Sequence, residues 1–248
     1  MREMKSTADY VRLELAGTTV DCALRFSETK KYIRRFISAE PAEADKAIGV
    51  SETAFQDWEK VGNGIDAFAE FCLLCQPCSE ALMEMDRCVF HAFALRYRER
   101  AFLIAGGSGA GKSTHGSLLI EKYPEECSAI NGDKPVLELV DDGVVVHPSP
   151  WNGKEGQHGA PATRLAGIFY LRRTDENAVK RLDGREAAIC TFPMVFQSFE
   201  NETVIHKAGA FTERILQRIP VFLFSSRDIE ESSAMLYQAI KEAASDDV

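Results

Sequence analysis

The chain has 248 residues, of which 45% are hydrophobic and 27% are charged, values typical of a globular protein that can bury a sizeable core. Its net charge of −9 argues against nucleic acid or an anionic membrane surface as the main partner. The sequence shows no signal peptide and no apolar stretch of membrane-spanning length, so we expect a cytoplasmic protein.

The first third of the chain predicts a small mixture of strands and helices. Alternating apolar residues predict short strands at 10–15, 18–26 and 46–50. The rest of 40–64 is polar and weakly patterned. A helix is predicted at 66–76, ended by Pro77, and a second helix at 79–85, with Ser79 as its N-cap.

The seven cysteines, an odd number spread along the chain, are typical of reduced thiols in a cytosolic protein. Cys72, Cys75 and Cys78 have the C-x-x-C-x-x-C spacing of an iron–sulfur site. However, the fourth ligand of that motif is missing, since Cys88 is distant and is not followed by proline. Cys72 and Cys75 also lie on the apolar face of the predicted helix. We therefore favour core packing over a metal site.

The middle of the chain carries the most informative motif. A strand at 88–95, a charged turn at 96–100 and a strand at 101–105 are expected to form an antiparallel hairpin. The second strand runs into a segment, called the P-loop below, that fits the pattern G-x-x-x-x-G-K-[ST]. The P-loop consists of Gly106, Gly107, Ser108, Gly109, Ala110, Gly111, Lys112, Ser113 and Thr114. A helix over 112–123, stopped by Pro124, follows it.

A strand, a glycine-rich turn and a helix are the parts that a phosphate-binding loop needs. The glycines let backbone N–H groups turn inward around a phosphate, and the helix N-terminus adds a partial positive charge. The pattern places Lys112 at the β and γ phosphates and the Ser113 hydroxyl on Mg²⁺. A flexible glycine loop without a ligand is the less favoured interpretation.

The remaining elements alternate between strands and helices. Strands are predicted at 128–130, 136–139, 144–146, 166–171 and 221–224. Helices are predicted at 211–219 and at 228–244, the second with Asp228 as its N-cap. Asp141 and Asp142 precede a glycine between two strands, which indicates a hairpin turn rather than a catalytic pair. The stretch 172–185 is basic and polar, and its Arg172, Arg173 and Arg181 either approach phosphates or an acidic partner or form a solvated edge.

Several of these features together resemble the HPr serine kinase family and its P-loop relatives, among them ATP-dependent phosphoenolpyruvate carboxykinase. The resemblance covers roughly residues 88–226. His91 lies on the strand before the P-loop strand, the P-loop is similar to the family's G-x-S-G-x-G-K-S, and the acidic Asp133 follows the P-loop helix.

The resemblance implies an α/β fold with a P-loop domain of HPr-kinase/phosphoenolpyruvate-carboxykinase type. That domain has a mixed, largely antiparallel sheet, and a small N-terminal α+β region is expected before it. We place the boundary between residues 1–87 and 88–248.

The acidic motif departs from the family's pattern. The serine kinases carry two adjacent aspartates there, one for Mg²⁺ and one as general base, whereas Gly132-Asp133-Lys134 has one. We favour Asp133 as the Mg²⁺-linked residue, because a P-loop site needs an acidic partner for the metal. Lys134 either stabilises the transferred phosphoryl group, pairs with an acidic substrate or lies in solvent. These departures argue against a true HPr kinase.

The segment 150–155 resembles a motif of smaller HPr-kinase-like proteins, several of which accompany peptide-maturation systems. Lys154 and His158 are candidates for the acceptor side of the site, with an ordered surface loop over a packed Trp151 as the alternative. His91 is a candidate for a phosphate- or substrate-facing role, with a packed histidine as the alternative.

The function implied is ATP- and Mg²⁺-dependent transfer of the γ-phosphoryl group to a hydroxyl of a peptide, protein or small molecule. Gly107–Lys112 would hold the phosphates, Ser113 and Asp133 the metal, and His91 or Asp133 the proton. One alternative is a nucleotide-binding regulatory module without kinase activity. Another is a carboxykinase-like enzyme, for which the chain is short. The acceptor, the choice of ATP or GTP, and a possible homo-oligomer stay open.

Overall fold

The structure is a computed structural model that describes residues 9–39, 43–153, 156 and 159–245. The strands within these residues are β1 (Asp9–Leu15), β2 (Thr18–Leu24), β3 (Lys46–Gly49), β4 (Arg87–Val89), β5 (Ala92–Tyr97), β6 (Arg100–Ala105), β7 (Cys127–Asn131), β8 (Val136–Val140), β9 (Gly143–His147), β10 (Thr163–Arg173), β11 (Ala178–Arg181) and β12 (Val221–Ser226). The helices are α1 (Lys30–Ile33), α2 (Glu52–Lys60), α3 (Ala67–Leu73), α4 (Cys75–Met83), α5 (Lys112–Lys122), α6 (Gly184–Thr191), α7 (Glu202–Leu216) and α8 (Ile229–Ser245).

The N-terminal region contains a small sheet in the order β1-β2-β3. Strands β1 and β2 form a hairpin around Ala16 and Gly17, whose φ angles of 53° and 73° suit a tight two-residue turn. Along β2, buried and partly buried residues alternate, because one face of the sheet packs on the core. Strand β3 adds to β2 in parallel.

The large sheet has the order β4-β8-β9-β10-β6-β5-β7, with β12 paired to β10 and β11 paired to β12. Its parallel pairs among the described residues are β6 with β10 and β10 with β12, and its other pairs are antiparallel. The expectation of a mixed, largely antiparallel sheet in an α/β protein is therefore confirmed.

One hydrophobic cluster connects the N-terminal region to the large sheet. Leu13 and Cys78 from the N-terminal region share it with Val89, Val136 and Trp151. Strand β4 itself spans the expected domain boundary and pairs with β8. The division at residues 87 and 88 stays a prediction, and the two regions pack around a shared core.

The N-terminal helices differ from the sequence prediction. The polar segment 40–64 contains α2, which the sequence pattern does not predict because Phe55 is the helix's one buried residue. Ser51 caps this helix by accepting from the backbone N–H of Ala54. Helix α3 ends before Leu74, and Pro77 lies in the first turn of α4, where its missing N–H has no cost. Ser79 is therefore not an N-cap.

The single strand predicted at 88–95 is wrong, because the chain breaks into β4 and β5. The two halves pair with different neighbours, β4 with β8 and β5 with β6 and β7. At the break, the backbone N–H of Phe90 donates to the carbonyl of Pro135 and that of His91 to the carbonyl of Met194. His91 therefore lies between the two strands rather than within a single one.

The C-terminal third also contains more structure than its sequence pattern predicts. The basic stretch 172–185 contains β11 and the start of α6. Helix α7 begins at Glu202 rather than at residue 211, since Asn201 caps it by accepting from the N–H of Thr203. The Asp228 cap of the last helix is confirmed, with its carboxylate accepting from the N–H of Glu231 at 3.0 Å.

Candidate functional site

The P-loop connects β6 to α5, and its glycines adopt backbone conformations that other residues avoid. The φ angles are 143° at Gly106, 73° at Gly109 and 107° at Gly111. A Cβ on Gly106 would lie 2.6 Å from the carbonyl oxygen of Leu171 on the neighbouring strand, whereas one on Gly107 would meet open space. The loop therefore rises from a tightly packed strand end into a solvent-facing turn, Gly107–Gly109.

Helix α5 begins at Lys112, three positions after the last residue of this turn. Gly111 is the N-cap, and no side chain caps the helix. The first N–H groups of a helix have no partner within it, and together with the helix dipole they favour an anion. The glycine turn and the uncapped helix end therefore fit a phosphate group.

Lys112 is buried at the first position of α5. Its ammonium donates to the carbonyl oxygens of Gly106 at 3.0 Å and Gly107 at 3.2 Å. Burial lowers the pKa of Lys112, the Asp133 carboxylate raises it, and Lys134 lowers it further. The ammonium thus bridges two carbonyl groups of the P-loop. The charges of Asp133 and Lys134, which follow β7, also act on it.

The other candidate residues lie at the same edge of the sheet for a topological reason. Strands β6, β7 and β10 have a common direction, because β5 is antiparallel to both β6 and β7 and β10 is parallel to β6. Their carboxyl ends therefore share the edge that carries the P-loop, and ligands of α/β proteins bind at such an edge. His91 enters this edge from the start of β5.

The segment Asn131–Lys134, called the acidic loop below, is shaped by its first residue. The fully buried Asn131 side chain accepts from the N–H groups of Asp133 at 3.0 Å and Lys134 at 2.8 Å. It also donates to the carbonyl and the hydroxyl of Ser149, both at 3.1 Å. Asn131 thus turns the chain sharply after β7 and attaches it to the segment after β9.

The structure brings His91 and Asp133 together, although 42 positions separate them in the sequence. His91 Nε2 lies 3.3 Å from Asp133 Oδ1, and the Lys134 ammonium contacts Oδ2 of the same carboxylate. Burial raises the pKa of Asp133, but the hydrogen bond from His91 and the charge of Lys134 outweigh it and lower that pKa to about 2. Asp133 is therefore an anion at neutral pH.

Lys134 lies inside the site, so of the three roles open to it, the solvent-exposed one is wrong. Its ammonium, besides contacting Asp133, is 5.7 Å from the centre of the Phe196 ring. Its backbone N–H donates to the carbonyl of Trp151 at 2.9 Å. The ion pair explains why a lysine follows the aspartate directly, since the cation compensates a carboxylate that is largely removed from water.

Arg173 extends from the end of β10 over the P-loop. Its Nε donates to the carbonyl of Ala110 at 3.1 Å, and its Nη2 is 3.3 Å from the position that a Cβ of Gly111 would occupy. Of the basic patch considered in the sequence, this residue contacts the loop. It therefore adds a second cation beside the P-loop.

The segment after β9, residues 148–153, packs against the acidic loop. Trp151 is buried, donates from its indole N–H to the carbonyl of Phe71 at 2.8 Å and stacks on the Phe71 ring at 6.2 Å. Gly153, with φ of 77°, lies so close to Asp133 that a Cβ would be 3.3 Å from that residue's own Cβ. Lys154 and His158 lie outside the described residues.

Of the cysteine cluster, Cys75 and Cys78 pack in the core, and Cys72 is partly exposed. Cys75 and Cys78 are buried, and burial raises the pKa of both thiols well above the ordinary range. Among the described residues, no group of three or more His, Cys, Asp or Glu side chains is placed to hold a metal ion. Asp141 and Asp142 form the turn between β8 and β9, and Asp142 pairs with Arg164.

Sequence reasoning missed Asn131, Ser149 and the contact of His91 with the Met194 carbonyl. A signal for Asn131 was present, since Asn-Gly is a turn pair, but the loop to which it binds lies 18 positions further on. Comparisons with known proteins do not supply these residues either. No protein-family model matches the chain, and no curated protein matches it.

Among solved structures, the chain is similar to the HPr(Ser) kinase/phosphatase from Coxiella burnetii. The TM-score is 0.40 at 12% sequence identity, over 62% of this chain and 88% of that one. This is a distant structural relationship, and the function proposed below depends on the residues of this chain alone. In the part of the chain that the structure describes, no helix combines the length and apolarity needed to cross a bilayer.

Proposed function

We propose that the protein is a kinase that transfers the γ-phosphoryl group of ATP, with Mg²⁺, to a hydroxyl group. The observation that carries this proposal is the position of the His91–Asp133 pair at the sheet edge that also carries the P-loop. A phosphate-binding turn alone is consistent with many functions. A paired imidazole and carboxylate next to it supply a route for the proton of an attacking hydroxyl.

The P-loop would bind the phosphates. The N–H groups of Gly107–Lys112 donate to phosphate oxygens, and Lys112 exchanges its two carbonyl contacts for the β and γ phosphates. Arg173 can reach a phosphate by giving up the Ala110 carbonyl. Each exchange replaces a neutral acceptor with an anionic one, which strengthens the hydrogen bond.

Ser113 and Asp133 are the residues that would hold Mg²⁺, which neutralises charge on the transferred group. The hydroxyl of Ser113 is in the first turn of α5, and the Asp133 carboxylate keeps acceptor capacity beyond the two hydrogen bonds it accepts. Because its pKa is about 2, Asp133 has little affinity for a proton. We therefore assign the proton to His91 and the charge to Asp133.

A regulatory nucleotide-binding module remains the second candidate. The observation that favours it is that both oxygens of Asp133 are already engaged, by His91 and Lys134. A carboxylate held in this way can stabilise a nucleotide-bound conformation without any phosphoryl transfer. The two candidates predict the same nucleotide binding and differ in whether a phosphorylated product forms.

The test is calorimetric titration of MgATP and MgGTP into the wild type, Lys112→Ala and the matched control Lys122→Ala. Lys122 is exposed at the far end of α5. We expect Lys112→Ala to weaken nucleotide binding about 100-fold, or about 2.7 kcal/mol, and the control to bind as the wild type does. Equal binding by both variants, or no binding by the wild type, would contradict the proposal.

Incubation with γ-labelled ATP and a lysate of the source cell then separates the candidates. Label on a discrete species, stable to hydroxylamine, is expected for a hydroxyl acceptor. Label released by hydroxylamine would indicate a carboxyl acceptor instead. Nucleotide binding with no labelled product would favour the regulatory module.

A further inference from the structure

A cleft lies beside the acidic loop, between the N-terminal region and the segment after β9. It encloses about 570 Å³. One wall is the helical stretch Lys31–Phe36, and the other consists of Pro148–Asn152 with Gly159 and Ala160. We call it the basic cleft, because Lys31, Arg34 and Arg35 line the first wall.

The charge of this wall is opposite to that of the whole chain. Lys30, Lys31, Arg34 and Arg35 place four cations in six residues of a protein with a net charge of −9. Within the described ranges, Arg34 and Arg35 make no ion pair, and both are exposed. Exposed cations such as Arg34 and Arg35 on one side of a concave surface attract an anionic ligand.

The cleft leads to the candidate site. Its second wall includes Ser149, which binds Asn131 of the acidic loop, and it ends at Asn152. The next residue, Gly153, lies against Asp133. A molecule bound along this wall therefore approaches the carboxylate that pairs with His91.

The two walls are connected by stacked aromatic rings. Tyr32 stacks on Phe71 with ring centres 5.0 Å apart, and Phe71 stacks on Trp151 at 6.2 Å. The carbonyl of Trp151 also accepts from the N–H of Lys134, so the aromatic stack links the basic wall to the acidic loop. This arrangement suits a recognition surface more than a solvated face.

The number of cations on one wall indicates a ligand with several anionic groups. Lys31 lies in α1, Arg34 and Arg35 lie in the short 3-10 turn that follows it, and all three line the cleft. An acidic peptide carries several carboxylates on one chain, which suits three cations on one wall better than a single small anion does.

We propose that the basic cleft binds an acidic peptide segment whose hydroxyl residue is the phosphoryl acceptor. This inference rests on the proposed kinase function and names its substrate class. Lys31, Arg34 and Arg35 hold carboxylates of the segment, and the peptide follows the second wall past Asn152. The hydroxyl then reaches Asp133 and His91, while the nucleotide binds at the P-loop.

The test measures fluorescence anisotropy of a labelled peptide of alternating Glu and Ser, without nucleotide, against a peptide of alternating Gln and Ser. The protein is the full chain, as wild type, as Arg34→Glu with Arg35→Glu, and as the control Arg181→Glu with Arg185→Glu. The control makes the same charge change at exposed residues of β11 and α6. Inorganic phosphate serves as a competitor.

We expect the acidic peptide to bind at least about 10-fold more tightly than the neutral one, and added salt to reduce that difference. The Arg34/Arg35 variant should lose the preference, and the control should keep it. Equal binding of the two peptides, or equal loss in both variants, would overturn the proposal. Displacement of the peptide by an equal concentration of phosphate would assign the cleft to a single small anion and overturn it as well.

Titration of MgATP into the same variants keeps the two proposals apart. The Arg34/Arg35 variant should bind MgATP as the wild type does, since neither arginine is part of the P-loop. Peptide binding by a wild type that fails to bind MgATP would overturn the acceptor role and contradict the kinase proposal together. Intact MgATP binding without any preference for the acidic peptide would overturn the peptide-binding proposal and leave the kinase proposal standing.

Discussion

The P-loop and the acidic loop lie at the same sheet edge, yet they are built in different ways. The P-loop is contiguous, and its shape comes from its own glycines between β6 and α5. The acidic loop is held by partners that are distant in sequence, namely Ser149, Trp151 and His91. A contiguous site tolerates changes elsewhere in the fold, whereas an assembled one depends on every segment that reaches it.

The largest effect is expected at Asn131, where the acidic loop is assembled. Asn131→Ala removes two hydrogen bonds to backbone N–H groups and two to Ser149 in a fully buried position. Leaving those groups without partners should lower the free energy of unfolding by about 3–4 kcal/mol. Urea unfolding measures this loss.

The matched control is Ser108→Ala, at an exposed position of the P-loop. It should change stability by less than about 0.5 kcal/mol. If Asn131→Ala is equally mild, the acidic loop is not held by its contacts with distant segments, and the contrast between the two loops fails.

A second prediction concerns His115, which anchors the P-loop helix α5 to residues more than 100 positions further along the chain. His115 is fully buried, and its Nε2 lies 3.2 Å from the Ser226 hydroxyl and 3.3 Å from that of Ser232. Burial and, to a smaller extent, the charge of Arg173 lower the pKa of His115 from 6.5 to about 4. The folded protein therefore holds the imidazole neutral where the unfolded chain protonates it.

The sign follows from proton linkage. Between pH 4 and 6.5 the imidazole of His115 binds a proton in the unfolded state and not in the folded state. The free energy of unfolding is therefore highest above pH 6.5 and falls as the pH drops toward 4. The contribution of His115 to that fall is about 3 kcal/mol. Urea unfolding from pH 4 to 7 should show a flatter profile for His115→Gln and an unchanged one for the exposed His206→Gln. Identical profiles for the wild type and His115→Gln would contradict the assignment.

The smallest effect is expected within the P-loop itself, where backbone conformation matters more than contacts. Gly111→Ala introduces a side chain at φ of 107°, and we expect a loss of about 2 kcal/mol in stability together with weaker nucleotide binding. Gly107→Ala is the control, because its φ lies outside the left-handed region and its Cβ would meet open space. Thermal unfolding compares the two, and equal losses would mean that strain does not set the shape of the loop.

The sequence by itself determined the parts of this protein whose cause is local. The strand–glycine–helix unit of the P-loop, the first two strands and the Asp228 cap follow from residues that are neighbours in the chain, because strand alternation and capping act over a few positions. The mixed sheet also followed, from the resemblance and the hairpin pattern. Asp133 was singled out by its position after the P-loop helix, and its role remains a proposal.

Only the tertiary structure decided which distant residues meet. It split the strand at His91, because β4 and β5 pair with different partners, and so turned the imidazole toward Asp133. It also placed Arg173 over the P-loop and the basic cleft beside the acidic loop. These contacts depend on strand order and on packing between segments far apart in the chain, which residue types and local periodicity do not encode.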